Sequence, residues 1–459
     1  FTGAAVNAVT RSGRNEFFGS AFATYRDEKL QGKKVGDKEV VRNDLFIKQY
    51  GVSVGGPIIK DKLFFFVNLE QNKTNEPGPT KVASNASMPF GGANTPTYVA
   101  RPTEEFLDGV SKYLLDKYGY ETGPYQGYSN KSFNDKLFAR IDWNINNNHK
   151  INFRYNQVQN AEPRTISSST SGSNVSFSSA NNRLSNNALH FMNSNYFQEA
   201  NLYSGTVEYN GNFGKFNHSL RGAWVHQFEP RTSGGGEFPL VDILDGPSVI
   251  TTFGYEPFTY GNLRDVTTYT LNYDANYSLG KHNLTAGGQF ETSATKNGFQ
   301  RFGTGYYIFN SWNDFVSGAK PKDYALTFPL TADGSQAFPG FQFNQTSLYL
   351  QDVFNVTNRL KLTGGIRIEL PSFPGVDEIK THPLVAGLTF ADGRKIDTGE
   401  LPSTKLMVSP RLGFNYDVKG DRSIQLRGGT GVFTGRIPFV WIVAQSGDAG
   451  MLQITQALN

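Results

Sequence analysis

The feature that most narrows the fold is a pair of runs with a strict two-residue period, TTYTLNYDANYSLGKHNLTAGGQFETSA, at residues 267–294. In the first run Tyr269, Leu271, Tyr273, Ala275, Tyr277 and Leu279 share one parity, while Thr268, Thr270, Asn272, Asp274, Asn276 and Ser278 share the other. Successive side chains of a strand point to opposite faces, so the run predicts a strand with one oily and one polar face. After Leu279-Gly280-Lys281-His282 the alternation resumes, with Leu284, Ala286, Gly288, Phe290 and Ala294 opposite Asn283, Thr285, Gln289, Glu291 and Ser293. Two strands joined by a tight turn, each well beyond the usual ~5–6 residues, fit a large sandwich, a soluble barrel or a membrane barrel.

The alternation recurs along all 459 residues, which predicts one large all-β architecture rather than several domains. A mean hydropathy of −0.43 and the lack of any apolar run long enough for a spanning helix exclude a bundle of membrane helices. Aromatics at 14% and 49 glycines suit a barrel with an oily outside, a polar inside and walls that bend at glycine. The 44 basic and 40 acidic residues, a net charge of +4, are too balanced to indicate nucleic acid. Without cysteine there is neither a disulfide framework nor thiolate chemistry. The chain opens at Phe1 with no initiator methionine, basic n-region or apolar h-region. The expectation is a removed leader or, preferred, an internal piece of something longer.

Taken in order, residues 1–13 read as a short strand running into a Ser-Gly turn, and the long alternating strands begin at Glu16. Pro57 is expected in the turn around GGPIIKD, because proline cannot donate to a ladder. A long connection over about residues 75–132 carries one helical piece at 103–119. Thr103 is its N-cap, Glu104 and Glu105 suit its positive end, Phe106, Val110 and Leu114 form a stripe, and Gly119 ends it. A helix inside a loop suggests an ordered lid. A further connection, mostly Ser and Asn, follows Pro163, and others cover residues 230–263, 298–340 and the stretch up to about Val408.

Short and long connections therefore alternate. In a closed antiparallel barrel this gathers the tight turns at one mouth and the long loops at the other, the asymmetry of outer-membrane barrels. The expected fold is an all-β transmembrane antiparallel β-barrel. Trp143, Tyr277 and Tyr416 sit on the oily parity just before short turns, where a membrane girdle lies; the plainer alternative is that strands are rich in aromatics. About thirteen long strands are counted. Bacterial single-chain barrels have even numbers, and an open edge would present unpaired backbone to lipid, so the stretch is expected to be partial.

The segments GAAVNAVTRSGRNEFFGSAF, YGVSVGGPIIKDKLFFFVNLE, TSLYLQDVFNVTNRLKLTGGIRIE and SPRLGFNYDVKGDRSIQLRGGTGVFTGRIPFVW resemble the TonB-dependent outer-membrane receptors, more narrowly the Oar-like group. The resemblance spans nearly the whole chain at strands and turns and leaves the long loops aside. It implies a plug followed by a barrel of about twenty-two strands. Residues 1–15 would then be the end of the plug domain, and residues 16–459 a partial barrel with long extracellular loops. The TonB box, most of the plug, the last strands and an amino-terminal carboxypeptidase-regulatory-like domain would lie outside this stretch.

Chemistry-bearing patterns are scarce. His149, His190, His218, His226, His282 and His382 have no metal-ligand spacing and adjoin no nucleophile motif, so no catalytic, metal or cofactor-binding residue is expected. The glycines of RGGTGVF and TAGGQF lie within strands and mark bends rather than phosphate loops. The polar parity, with Lys136, Arg140, Asp142, Arg154, Glu208, Asp274, Glu291, Arg367, Glu369, Arg411 and Arg427, mixes both signs. It could grip a plug, line a conduit or simply be a hydrated lumen. The loops carry Tyr, Asn, Ser and Gly, a composition suited to adaptable recognition, and no ligand residue is named.

The leading expectation is an outer-membrane receptor and transporter that binds a bulky substrate and performs no covalent reaction. Its substrate is a peptide, protein or glycan in preference to an iron chelate, a choice that rests on the resemblance. Its partners would be outer-membrane lipids, TonB through a region outside this chain, and a surface lipoprotein or other envelope proteins. The alternatives are a surface anchor that scaffolds envelope partners without transport and, third, an enzymatic barrel.

Overall fold

The computed structural model describes residues 9–36, 38–39, 44–92, 98–374, 380–447 and 449–458. Its main sheet is a wall of thirteen strands in chain order. They are β1 (Phe18–Asp27), β2 (Phe46–Ile59), β3 (Leu63–Pro77), β4 (Ser129–Asn144), β5 (His149–Arg164), β6 (Tyr196–Glu199 continued by Asn201–Phe213) and β7 (Phe216–Ser233). Then come β8 (Leu263–Leu279), β9 (His282–Gly298), β10 (Gly340–Asn355), β11 (Leu360–Ser372), β12 (Met407–Asp417) and β13 (Gln425–Gly431). The break in β6 is a single residue, Ala200, whose N–H still reaches Asn160 O at 3.0 Å. Every pairing is antiparallel and between chain neighbours, as two-residue periodicity with tight turns dictates. The two-residue turns 214–215 and 280–281 each place glycine at positive φ, +73° and +59°, which the primed hairpin turns require.

Register aligns like with like. Leu271 faces Gly222 on one side and Phe290 on the other, Leu350 faces Ala286 and Ile366, and Leu362 faces Phe354 and Phe414. This oily face lies open: Leu271 is 52% exposed, Leu348 61% and Leu412 65%. A band of that extent is untenable against water and natural against hydrocarbon. No helix is long and apolar enough to cross a membrane among the described residues.

Two local readings are corrected. Pro57 is not in the turn, which is 60–62; it sits inside β2 opposite Phe64, where the register slips before Ile59 and the ladder tolerates a missing donor. Of the strand expected in residues 1–13, residues 1–8 lie outside the described residues, and 9–13 form no ladder. The last wall strand ends at Gly431.

The long connections fold together at the other end of the wall. A second sheet runs Ser248–Phe253, Leu240–Asp245, Tyr306–Phe309, Asp323–Pro329 and Gln453–Leu458, with strands drawn from three different connections. The pairing of Leu240–Ile243 with Tyr306–Phe309 is parallel. Helix α1 (Glu104–Tyr118) has the caps expected of it, Thr103 Oγ1 accepting from Phe106 N and Gly119 at φ 65°. With α2 (Trp312–Ser317) it covers one face of this sheet. Leu107, Val110, Leu114, Phe191, Val241, Ile243 and Phe253 form one buried core, and Ile166, Leu240, Leu244, Val249, Phe302, Tyr306 and Ile308 another. We call this unit the cap. A third helix, α3 (Phe439–Gly447), packs Ile442 and Val443 against Phe341 and Phe343 on the polar parity of β10.

Candidate functional site

The polar parity of the wall forms a continuous face, and the structure brings all eleven residues singled out above onto it. Period two is what does this: each has an oily neighbour at i−1 or i+1, so none can turn outward without turning that neighbour inward. Lys136 donates to Glu70 at 3.0 Å, Arg154 to Glu208 at 2.7 Å, and Arg367 to both Glu369 at 3.0 Å and Gln289 at 3.1 Å. Arg140 grips Asp142 at 2.6 to 3.0 Å and reaches beyond the wall, donating to Thr10 Oγ1 at 2.7 Å and Thr10 O at 3.2 Å. The segment leading into β1 therefore lies against this face. It is fixed again where Asp61 N donates to Asn15 Oδ1 at 2.8 Å.

Two cavities open on the same face. One of about 400 Å³ is lined by Arg221, Asp274, Tyr349, Arg367 and Arg411. Tyr349 crosses Gly287 to donate to Asp274, a path that any side chain at Gly287 would block, since its Cβ would stand 2.3 Å from the tyrosine ring. The other, about 290 Å³, lies where the wall meets residues 402–403 and 434–437, and is lined by Glu291, Phe343, Glu369, Met407 and Arg436. Arg436 is bonded to Glu291 and stacked on Phe343 with its guanidinium carbon 4.8 Å from the ring centre. Arg427 bonds Gln425 beside it on β13. Charges of both signs, mostly paired, alternate with aromatic rings, a surface able to hold polar groups of either charge.

Arg436 was missed because it lies beyond the last wall strand, where no alternating period marks its face, and the cap was missed because its strands pair across connections. One signal for the cap was present: Asp245-Gly246 between FPLVDIL and PSVITTF is a strong hairpin pattern. Within the cap, buried Arg183 donates to both oxygens of Asp242 at 2.9 Å, and Tyr306 and Thr252 each donate to the same carboxylate at 2.6 Å. The carboxylate holds Arg183 above its ordinary range despite burial. His190, buried and hydrogen-bonded to Asn195 at 3.1 Å, is pushed down to about 4 by desolvation and by nearby Lys81. Lys81, itself lowered by burial, donates to the carbonyls of Leu184 at 2.7 Å and Ser185 at 2.6 Å.

On the oily face, Trp143, Tyr277 and Tyr416 are 48%, 42% and 37% exposed, each within three residues of a tight turn. Histidines share that rim: His149 lies 2.7 Å from Tyr209 Oη, and His282 2.6 Å from Asp352 while stacked on Phe354. No group of three His, Cys, Asp or Glu side chains able to hold a metal occurs among the described residues.

An antiparallel wall that is oily outside and polar inside, with tight turns at one end and folded loops at the other, defines a β-barrel of the outer membrane. The family described as "Outer membrane beta barrel domain" matches residues 9–457, and the chain belongs to it. Over 79 residues, 16% of this chain and 7% of the relative, it is 43% identical to the TonB-dependent transporter Oar of Myxococcus xanthus. Among solved structures it overlays on the outer membrane transporter YddB of Escherichia coli with a TM-score of 0.53 at 10% identity, covering 92% of this chain and 44% of that one. The siderophore receptor PirA of Acinetobacter baumannii overlays with a TM-score of 0.47 at 14% identity, covering 92% and 43%. The chain thus spans less than half the length of these two solved structures. It resides in the cell outer membrane, and these relatives are transporters and receptors rather than enzymes.

Proposed function

We propose that this chain is the wall and cap of a TonB-dependent receptor of the Oar-like group, which captures a bulky substrate with its cap and admits it past a plug without covalent chemistry. The observation that carries the reading is the grip of Arg140 on Thr10. A wall that holds the segment before its first strand against its inner face is what a plugged barrel requires. Residues up to 15 are then the end of the plug, and 16–459 the wall and its loops. The mixed-sign, ring-lined cavities suit a peptide, protein or glycan, and the stretch of identity with Oar supports the subgroup. Energy enters through TonB, acting on a region beyond this chain, and Trp143, Tyr277 and Tyr416 form the girdle at the turn-side interface.

The test is substrate-dependent growth of cells carrying the full-length protein. Growth lost on removing TonB, and on deleting the α1 connection, supports import. The co-folded cap also suits a surface interaction protein, with a lipoprotein or other envelope protein as partner. Partner capture that depends on the cap, in cells where no substrate uptake is measurable and TonB is dispensable, would select that reading instead.

A further inference from the structure

The tight turns close the wall hairpins at 60–62, 145–148, 214–215, 280–281, 356–359 and 418–424. They carry Lys60 and Lys62 in the first, Lys215 and Lys281 in the two-residue turns, Arg359 in the fifth, and Lys419 with Arg422 in the last. Against these seven cations stand two carboxylates, Asp61 and Asp421. Both are engaged, Asp61 by Asn15 and Asp421 by the N–H and hydroxyl of Ser423 at 2.9 and 2.6 Å. All seven cations are exposed, and none stands in an ion pair among the described residues. The long connections carry slightly more carboxylates than cations, so the excess belongs to the turn side alone.

Position gives the excess a meaning. Neighbouring hairpins are two strand spacings apart, roughly 10 Å, similar to the Debye length of ~10 Å at moderate salt, so separate charges merge into a continuous rim. Trp143, Tyr277 and Tyr416 stand two or three residues before the turns that follow their strands, so cations at the turn level project roughly 5–10 Å past the aromatic level. Interfacial aromatics mark the headgroup region, which places the cations among headgroup phosphates. The cations are spread over five of the six turns rather than gathered in one patch. A protein partner favours a patch, whereas an annulus of lipid has the same distribution as the rim.

We infer that the turn side of the wall is a collar that recruits anionic phospholipid headgroups from the adjoining leaflet. This rests on the orientation of the barrel and not on whether the protein transports. The test reconstitutes the full-length protein in nanodiscs of phosphatidylcholine doped with phosphatidylglycerol and measures, by mass spectrometry, the lipid retained after a detergent wash. The variant Lys60→Gln, Lys62→Gln, Lys215→Gln, Lys419→Gln is compared with Lys34→Gln, Lys117→Gln, Lys395→Gln, Lys405→Gln, which removes equal charge from exposed loop-side positions. Circular dichroism confirms that both keep the wall.

Wild type and the loop-side variant should enrich phosphatidylglycerol, by up to about fivefold per cation that reaches the headgroups, and the turn-side variant should not. Salt of about 1 M, with a Debye length of ~3 Å, should abolish the wild-type enrichment. Enrichment that survives in the turn-side variant, or falls equally in both, overturns the inference. So does a turn-side variant that keeps its lipid but loses binding of an acidic polypeptide, which would make the rim a protein dock.

Discussion

The wall and the cap are built from the same secondary structure and solve opposite problems. In the wall, Leu271, Leu348 and Leu412 point outward and the charges inward, whereas in the cap Phe191, Val241 and Tyr306 are buried. Wall strands pair only with chain neighbours, while cap strands come from separate connections and include a parallel pair. The difference teaches that a two-residue period fixes two faces but not which one is the inside. The surrounding solvent decides that, hydrocarbon for the wall and water for the cap.

The contrast can be broken first in the cap. Phe191→Ala should remove about 3–5 kcal/mol from cap stability, and hydrogen exchange should accelerate at residues 240–253 while the wall amides keep their protection. Loss of protection in both regions would mean that they are one cooperative unit. Arg183→Leu, which strands the buried Asp242 carboxylate, should cost a similar amount, about 3–5 kcal/mol, and the double variant with Asp242→Leu should recover part of it.

In the wall, Leu271→Arg should cost about 2–4 kcal/mol in urea unfolding from lipid vesicles, while Asn272→Arg on the polar face costs little. Equal costs would erase the distinction between the faces.

Acid should separate the regions more gently. The folded pKa of His190 is about 4, below the ordinary value of ~6.5, so the unfolded cap binds the extra proton first. Its stabilising contribution is whole above pH ~6.5 and is lost as pH falls toward 4, about 2 kcal/mol by pH 5. Cap protection factors, with the intrinsic exchange rate at each pH divided out, should fall between pH 7 and pH 5, and His190→Gln should flatten that dependence. The smallest effect is Thr103→Ala, about 1 kcal/mol, confined to the amides of α1.

What was legible in the sequence follows from the same contrast. Wall strands, their order and their polar face could be read because each depends on local period and on neighbours a turn away. Helix α1 was legible because its caps are local, Thr103 and Gly119. Pro57 was misplaced because a bulge in β2, not the turn, accommodates it, and a bulge has no signature of its own. The site was half legible: Arg140, Glu291 and Arg367 were assigned to the right face, but Thr10 and Arg436 reach it from 130 and 145 residues away. The cap sheet escaped for the same reason, since Tyr324 meets Leu458 across the whole of β10 to β13.

That sheet has a consequence for how such a protein can diversify. Its strands belong to residues 234–262, 299–339 and 432–458, so each connection supplies edges that another must match. A chimera that exchanges one connection with a relative inherits a strand without its neighbours and leaves both cores half filled. Change at this surface must arrive as a linked set of segments, or by substitutions on the outward side of strands whose inward side stays fixed.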